Sequence, residues 1–234
     1  MPIVRQACIM ACVPTPEERL PIDVPDVGDV SGVYARPVGA DRSIVIAHGA
    51  GAGMDHPFMV GFSRAMNDLG VATLRFNFPY MDAGRRSPDR QPVAVTTWRA
   101  AFDVAVARAS GGEPVWASGK SFGGRMASVA VAEGMPAAGL VFLGYPLHPP
   151  GKPERVRDEH LYVLEVSMLF LQGTKDPFAT PAVLGPVVEK LGARATLHSI
   201  QGGGHSLERS RKDDPRETGA GLAPVAAAFM REVR

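Results

Sequence analysis

The strongest constraint on the fold is an alternation. From residue 43 onward, short apolar runs take turns with longer segments of helical periodicity. That order argues for a parallel sheet covered by helices, because parallel neighbours need a crossover long enough to hold a helix. Residues 43–47, SIVIA, read as a buried strand. Residues 57–69 place Phe58, Met59, Phe62, Met66 and Leu69 at helical spacing, and Gly70 stops the run. Residues 71–76 form the next strand. Residues 77–92, rich in Pro, Gly and Arg, read as a long loop. Further helices are predicted over 96–109, 122–133, 181–191 and 221–233, and further strands over 114–118, 138–145, 167–172 and 193–200. Residues 1–42 are assigned to N-terminal edge strands, one of them over 33–37. The predicted class is α/β, a mostly parallel twisted sheet with helices on both faces. The chain, residues 1–234, reads as a single domain, since this length supports one sizeable core.

Composition matters here mainly for what it excludes. The net charge is +1, so no global field draws the chain to nucleic acid or to a membrane surface. No stretch is long and apolar enough to span a bilayer. Residues 1–25 lack a secretory pattern, because Pro14, Pro16, Glu17 and Glu18 follow only a short apolar run. A cytoplasmic location is the resulting expectation. The two cysteines, Cys8 and Cys12, cannot alone supply a four-ligand metal site, and their spacing is not that of a redox motif. They read as incidental thiols, and no metal or cofactor is implied.

In open α/β sheets, ligands bind beyond the carboxyl ends of the strands. Attention therefore falls on the loops after Ala47, Phe76, Ser118, Tyr145, Gln172 and Ile200. One of them holds Gly119-Lys120-Ser121-Phe122-Gly123, a G-x-S-x-G pattern at a strand–helix junction. Glycines on both sides let strand and helix approach, so a tight turn presents the Ser121 hydroxyl. The Phe122 amide, at the helix start, points toward a developing oxyanion. With 26 glycines the pattern alone could arise by chance, and the junction is what gives it weight.

A serine nucleophile needs a base, and histidine has the suitable pKa. His205 sits in Gly202-Gly203-Gly204-His205-Ser206, directly after the last strand-like run. A carboxylate should come between the two in chain order. Asp176, in Gly173-Thr174-Lys175-Asp176-Pro177, follows a strand, whereas its competitors Asp158 and Glu165 do not. Its role would be to fix the His205 tautomer and stabilise the imidazolium. After residues 43–47 comes His48-Gly49-Ala50-Gly51-Ala52-Gly53. Ala50 is the first candidate for the second oxyanion donor, with Gly51 behind it. The run lacks the Lys-Ser/Thr ending of a phosphate-binding loop, and Met54 breaks a dinucleotide fingerprint. His48 reads as a structural hydrogen-bonder.

These motifs resemble a branch of the α/β-hydrolase superfamily, the one containing the testis-expressed protein and the chromatin nonspecific-lethal complex subunit, with many bacterial members. The matching stretches are HGAGAGM at 48–54, RFNFPYMDAGRRSP at 75–88, GKSFGGRMAS at 119–128, GYPLHPP at 144–150, LQGTKDP at 171–177 and the GGGHS around His205. The resemblance implies the α/β-hydrolase fold and a catalytic set of Ser121, Asp176 and His205, and it implies little about substrate. About twenty residues separate Tyr145 from Ser167, too few for a helical cap domain. An open site is therefore expected, rimmed by Pro146, Leu147, His148 and Pro149. The 77–90 loop is expected to bring Phe78, Tyr80, Arg85, Arg86 and Arg90 to the same face. Tyr80, Arg85, Arg86, Gly51, Lys120 and His148 are the candidate substrate contacts. The arginines could pair with an anionic substrate or remain solvated.

The functional expectation is a cofactor-independent serine hydrolase acting on a carboxylic ester or thioester of a small molecule. The alternative is a non-catalytic interaction module on the same fold. Neither oligomeric state nor natural substrate is encoded legibly.

Overall fold

The computed structural model describes residues 14–233. Cys8, Cys12 and the reading of the first thirteen positions lie outside the described residues. Strand β1 (Glu17–Val24) pairs antiparallel with β2 (Gly28–Ala35). The rest follows in chain order as β3 (Ser43–Ala47), α1 (Pro57–Asp68), β4 (Ala72–Phe76), α2 (Pro79–Asp82), α3 (Gln91–Arg108), β5 (Val115–Lys120), α4 (Phe122–Ala132), β6 (Gly139–Leu143), β7 (Ser167–Gly173), α5 (Pro181–Leu191), β8 (Ala195–Ile200) and α6 (Pro215–Glu232). The eight strands lie in the order β1-β2-β4-β3-β5-β6-β7-β8. β2 is antiparallel to β4, and all pairings from β4 to β8 are parallel. This is the α/β-hydrolase fold.

The central strands β3, β4 and β6 are buried at every position, as expected of strands covered on both faces. Two apolar layers sandwich the sheet. Helices α3, α4 and α5 bury Trp98, Phe102, Met126 and Leu184 on one side. Helices α1 and α6 bury Phe58, Phe62, Leu222 and Met230 on the other. Those two helices touch backbone to backbone, since a Cβ added at Gly219 would lie 2.2 Å from the Phe58 carbonyl oxygen. At the outer edge, the Arg75 guanidinium on β4 is only 2 % exposed and grips both carboxylate oxygens of Glu17 on β1 at 3.0 Å. This pairing, with Arg64 beside it, holds the Glu17 carboxyl down to about 2.

Several boundaries differ from the sequence reading. Helix α3 starts at Gln91 rather than residue 96, because Pro92 sits in the first turn, where its missing N–H leaves no bond unmade. Helix α6 starts at Pro215 rather than residue 221, capped by Asp214, whose side chain accepts from the Arg216 and Glu217 amides. The 77–92 segment also contains α2 and is not one long loop. The strand expected over 33–37 runs instead from Gly28 to Ala35 and stops before Pro37, which has no N–H for the ladder.

The chain runs β3 to β4 on one side, then returns to place β5 on the other side of β3. The crevice at the carboxyl ends of β3 and β5 is thus the topological switch point, where ligands bind in such sheets. Between β6 and β7 the only helical element is one 3₁₀ turn, Glu159–Leu161, and no separate cap domain covers the carboxyl edge. Among the described residues, no helix is long and apolar enough to cross a membrane.

Candidate active site

Ser121 stands alone between β5 and α4, at φ +49° and ψ −114°. Such a backbone is strained for a residue with a side chain, by roughly 1–3 kcal/mol, and needs support from its surroundings. The Ser121 amide donates to the Leu143 carbonyl at 3.2 Å, and its own carbonyl accepts from the Arg125 amide at 3.0 Å. The flanking glycines are required by contact: a Cβ at Gly119 would fall 2.4 Å from the Gly124 nitrogen, and one at Gly123 would fall 2.5 Å from the His48 carbonyl oxygen. The Trp98 indole N–H donates to the Gly123 carbonyl at 3.0 Å and ties α3 to the turn.

The three residues expected to act together meet here. His205 Nε2 is 2.8 Å from Ser121 Oγ, and His205 Nδ1 is 2.8 Å from Asp176 Oδ2. Asp176 is fully buried, while the His205 side chain is 23 % exposed toward the cavity. An ionised carboxylate only accepts, so Nδ1 carries the proton and Nε2 is left to accept from the serine hydroxyl. The Asp176 carboxylate is satisfied on both oxygens: Oδ1 accepts from the Phe178 amide at 2.8 Å, and Oδ2 accepts also from Gln172 Nε2 at 2.6 Å. Gln172 is oriented in turn, because its Oε1 accepts from the Tyr145 amide at 2.8 Å. The Phe178 ring packs against the His205 imidazole, with centroids 4.4 Å apart. The competing acids are elsewhere. Asp158 accepts from the Tyr162 hydroxyl, and Glu165 is exposed.

Ala50 and Phe122, the expected oxyanion donors, both line the cavity beside Ser121. Phe122 is the first residue of α4, so its N–H has no partner within the helix. Among the described residues, neither amide donates to a protein acceptor. The loop after β3 is braced from behind, with the Tyr80 hydroxyl shared between the Gly49 and Ala50 carbonyls at 3.2 and 3.1 Å. His48 is fully buried; Nδ1 donates to the Gly49 carbonyl at 2.7 Å and Nε2 accepts from the Phe78 amide at 3.1 Å. Burial pushes the His48 pKa down, so the ring is a neutral strut.

The cavity over Ser121 has a volume of about 780 Å³, in the range of small-molecule sites. Gly51, Lys120 and His148, three of the candidate contacts, line it. Lys120 is committed to the protein as well, donating from Nζ to the His205 carbonyl at 3.1 Å, and burial pulls its pKa down to about 8. The remaining expectations need correction. Tyr80 and Phe78 do not face the cavity: both are fully buried, stacked behind the β3 loop, with the Tyr80 amide anchored to Asp89 at 2.9 Å. Arg85 is exposed and salt-bridged to Asp89 at 2.6 Å, and Arg86 and Arg90 are exposed outside the cavity. Leu147 is not on the rim but buried, its amide bonded to the Phe178 carbonyl at 3.0 Å, while Pro146, His148 and Pro149 remain on the wall.

The structure also puts residues here that the sequence reading passed over. Gln172 was read only as the end of a strand. Arg125 lies one helical turn after Ser121, a spacing that could have drawn notice. Arg157 follows from no local pattern, and only the folded loop brings it to the wall.

Comparison with known proteins agrees with this architecture. A family model described as an alpha/beta hydrolase domain matches residues 40–233. Similar solved structures include an α/β serine hydrolase without lid from Xanthomonas campestris, 21 % identical, covering 93 % of this chain and 96 % of that one at a TM-score of 0.74. A dienelactone hydrolase from Anabaena variabilis is 21 % identical, with coverage of 95 % and 100 % and a TM-score of 0.71. The esterase domain of a Rhodothermus marinus protein is 16 % identical, with coverage of 93 % and 99 % and a TM-score of 0.71. At these identities the likeness is one of fold.

Proposed function

The chain belongs to the alpha/beta hydrolase family, and we propose that it is a cofactor-independent serine hydrolase that cleaves a carboxylic ester or thioester of a small molecule. One observation carries this reading: an unbroken hydrogen-bond chain from Ser121 through His205 to buried Asp176, opening on the cavity. The Ser121 oxygen attacks the carbonyl carbon as its proton passes to His205 Nε2. Asp176 holds the ring and stabilises the imidazolium. The Ala50 and Phe122 amides receive the oxyanion. The tetrahedral adduct collapses, the bond to the leaving oxygen or sulfur breaks, and His205 returns its proton to that group. Water then repeats the sequence on the acyl-enzyme, releasing the acid and free Ser121.

Within the family we place the chain in the branch of the testis-expressed protein and the nonspecific-lethal subunit, on the HGAGAGM, GKSFGGRMAS and GYPLHPP stretches. A cytoplasmic site of action is part of the same proposal. A fluorophosphonate probe tests the enzymatic reading. Wild-type protein should be labelled at Ser121, and Ser121→Ala should not. No labelling of folded wild-type protein, beside a serine hydrolase that labels normally, would turn the reading toward an interaction module.

A further inference from the structure

Eight of the described arginines are paired with a carboxylate. Arg36 pairs with Glu113, Arg75 and Arg64 with Glu17, Arg85 with Asp89, and Arg108 with Glu18. Two that line the Ser121 cavity are different. Among the described residues, no carboxylate lies within ion-pair distance of Arg125 or Arg157. Arg125 Nε is buried and has no hydrogen-bond partner. The two guanidinium groups are near enough to repel, and burial together with Arg157 pushes the Arg125 pKa down. Asp158, the chain neighbour of Arg157, is engaged by the Tyr162 hydroxyl. A half-buried cation with an unmet donor, facing a second cation, is an arrangement that an anion completes.

Placement says what the anion belongs to. Arg125 sits four residues after Ser121 on α4, its amide bonded to the Ser121 carbonyl at 3.0 Å. That bond sets Arg125 in the first turn of α4 beside the Ser121 turn, and both side chains line the cavity. The Arg157 amide donates to the Leu147 carbonyl at 2.7 Å, which fixes its loop over the same wall. A charge held there lies within a few bonds of a carbonyl at Ser121. Resting on the hydrolase reading above, we propose that the substrate is an anionic ester or thioester whose carboxylate, or an equivalent acidic group, is bound by Arg125 and Arg157. The planar fork of arginine suits a carboxylate, and a neutral competitor leaves the buried Arg125 Nε donor unmet, while exposed Arg157 adds charge at the cavity wall. The Arg85–Arg86 loop, the sequence's own candidate for this role, stands outside the cavity.

The test compares matched esters. p-Nitrophenyl hemiglutarate is p-nitrophenyl butyrate with a terminal carboxylate, and 4-carboxyphenyl butyrate is phenyl butyrate with a carboxylate on the leaving group. In at least one pair the wild type should favour the anionic member in kcat/KM by roughly tenfold or more, mostly through KM. Arg125→Gln and Arg157→Gln should each collapse that ratio toward one, and Arg125→Lys should restore part of it. Using the ratio removes any general loss of activity. A ratio near one in both pairs, or one unchanged in both glutamine variants, overturns the proposal. A binding arm separates this from the hydrolase reading. By calorimetry, Ser121→Ala protein should bind the anionic member of at least one pair more tightly than its neutral partner, and adding Arg125→Gln should abolish the difference. Equal binding within both pairs overturns the anion site even if Ser121 is labelled by the fluorophosphonate. Preferential binding without labelling retains the anion site and removes the hydrolase.

Discussion

Replacing Asp176 by Asn probes the orientation of the base with almost no change in shape. The outcome can be worked from the hydrogen bonds. Asp176 Oδ1 accepts from the Phe178 amide, and Oδ2 accepts from both Gln172 Nε2 and His205 Nδ1. An asparagine must put its NH₂ at one of these positions. Placed at Oδ1, it faces a backbone N–H that cannot turn away. Placed at Oδ2, it faces Gln172, which cannot flip because its Oε1 is held by the Tyr145 amide. In that second arrangement His205 can bond to the new donor only by accepting at Nδ1, which moves its proton to Nε2. The ring then has no lone pair for the Ser121 hydroxyl. The same tautomer error in the Ser-His-Asp proteases lowers kcat by about 10⁴. The expected loss here is about 10³–10⁴ in kcat/KM, or about 4–5.5 kcal/mol at the transition state. Ester hydrolysis is followed spectrophotometrically, with thermal unfolding run alongside to show that the variant is folded. A loss below about tenfold in folded protein would refute the reasoning, because the base would not then depend on this carboxylate for its tautomer.

Other expectations follow from the same contacts. Gln172→Leu removes one donor to Asp176 and the acceptor for the Tyr145 amide; it should lower kcat by roughly 3–30-fold and destabilise the fold by about 1–3 kcal/mol, and an unchanged kcat in stopped-flow turnover would count against it. Glu17→Gln strips the buried Arg75 of its bidentate partner, leaving only the longer contact to Asp55 at 3.5 Å, and should lower urea stability by about 1–3 kcal/mol, whereas a loss under about 0.5 kcal/mol would contradict the pairing. Gly219→Ala drives a Cβ into the Phe58 carbonyl and should destabilise by about 1–3 kcal/mol in the same assay, with wild-type stability the contrary result. His160 Nε2 lies 2.9 and 3.1 Å from the Ser128 and Tyr145 hydroxyl oxygens, and burial pulls its pKa from 6.5 to about 4. Its folded pKa lies below the unfolded one, so its contribution is complete above pH 6.5 and is lost as the pH falls toward 4. With allowance for solvent screening, urea titrations should show a loss of about 2 kcal/mol from this group between pH 7 and 4.5, absent from the slope of His160→Gln.

The parallel sheet was readable because its strands are buried on both faces, so SIVIA at β3 and GLVFL at β6 are continuous apolar runs. Ser121, Asp176 and His205 were readable because each occupies a loop after a strand of the parallel sheet, and the fold leaves those loops on one edge. The misplaced helix starts share a cause. Pro92 falls in the stretch read as a loop and Pro215 ahead of the predicted helix, although proline is welcome in a first turn. The misjudged arginines show a different limit. Arg85 and Arg125 are chemically the same in sequence, and only packing shows that one has Asp89 while the other has an unmet donor in the cavity. Tyr80 looked like a substrate contact because it sits in a polar loop, yet its ring is part of the core that braces the Ala50 loop.

The central claim is that Ser121 becomes acylated. Mixing the protein with a p-nitrophenyl ester should release a burst of close to one equivalent of p-nitrophenol per chain when deacylation is the slower step. Acid-quenched samples taken during turnover should carry the acyl mass on the peptide containing Ser121 and nowhere else. Turnover with no acyl mass on that peptide, or with the mass on another residue, would contradict the account.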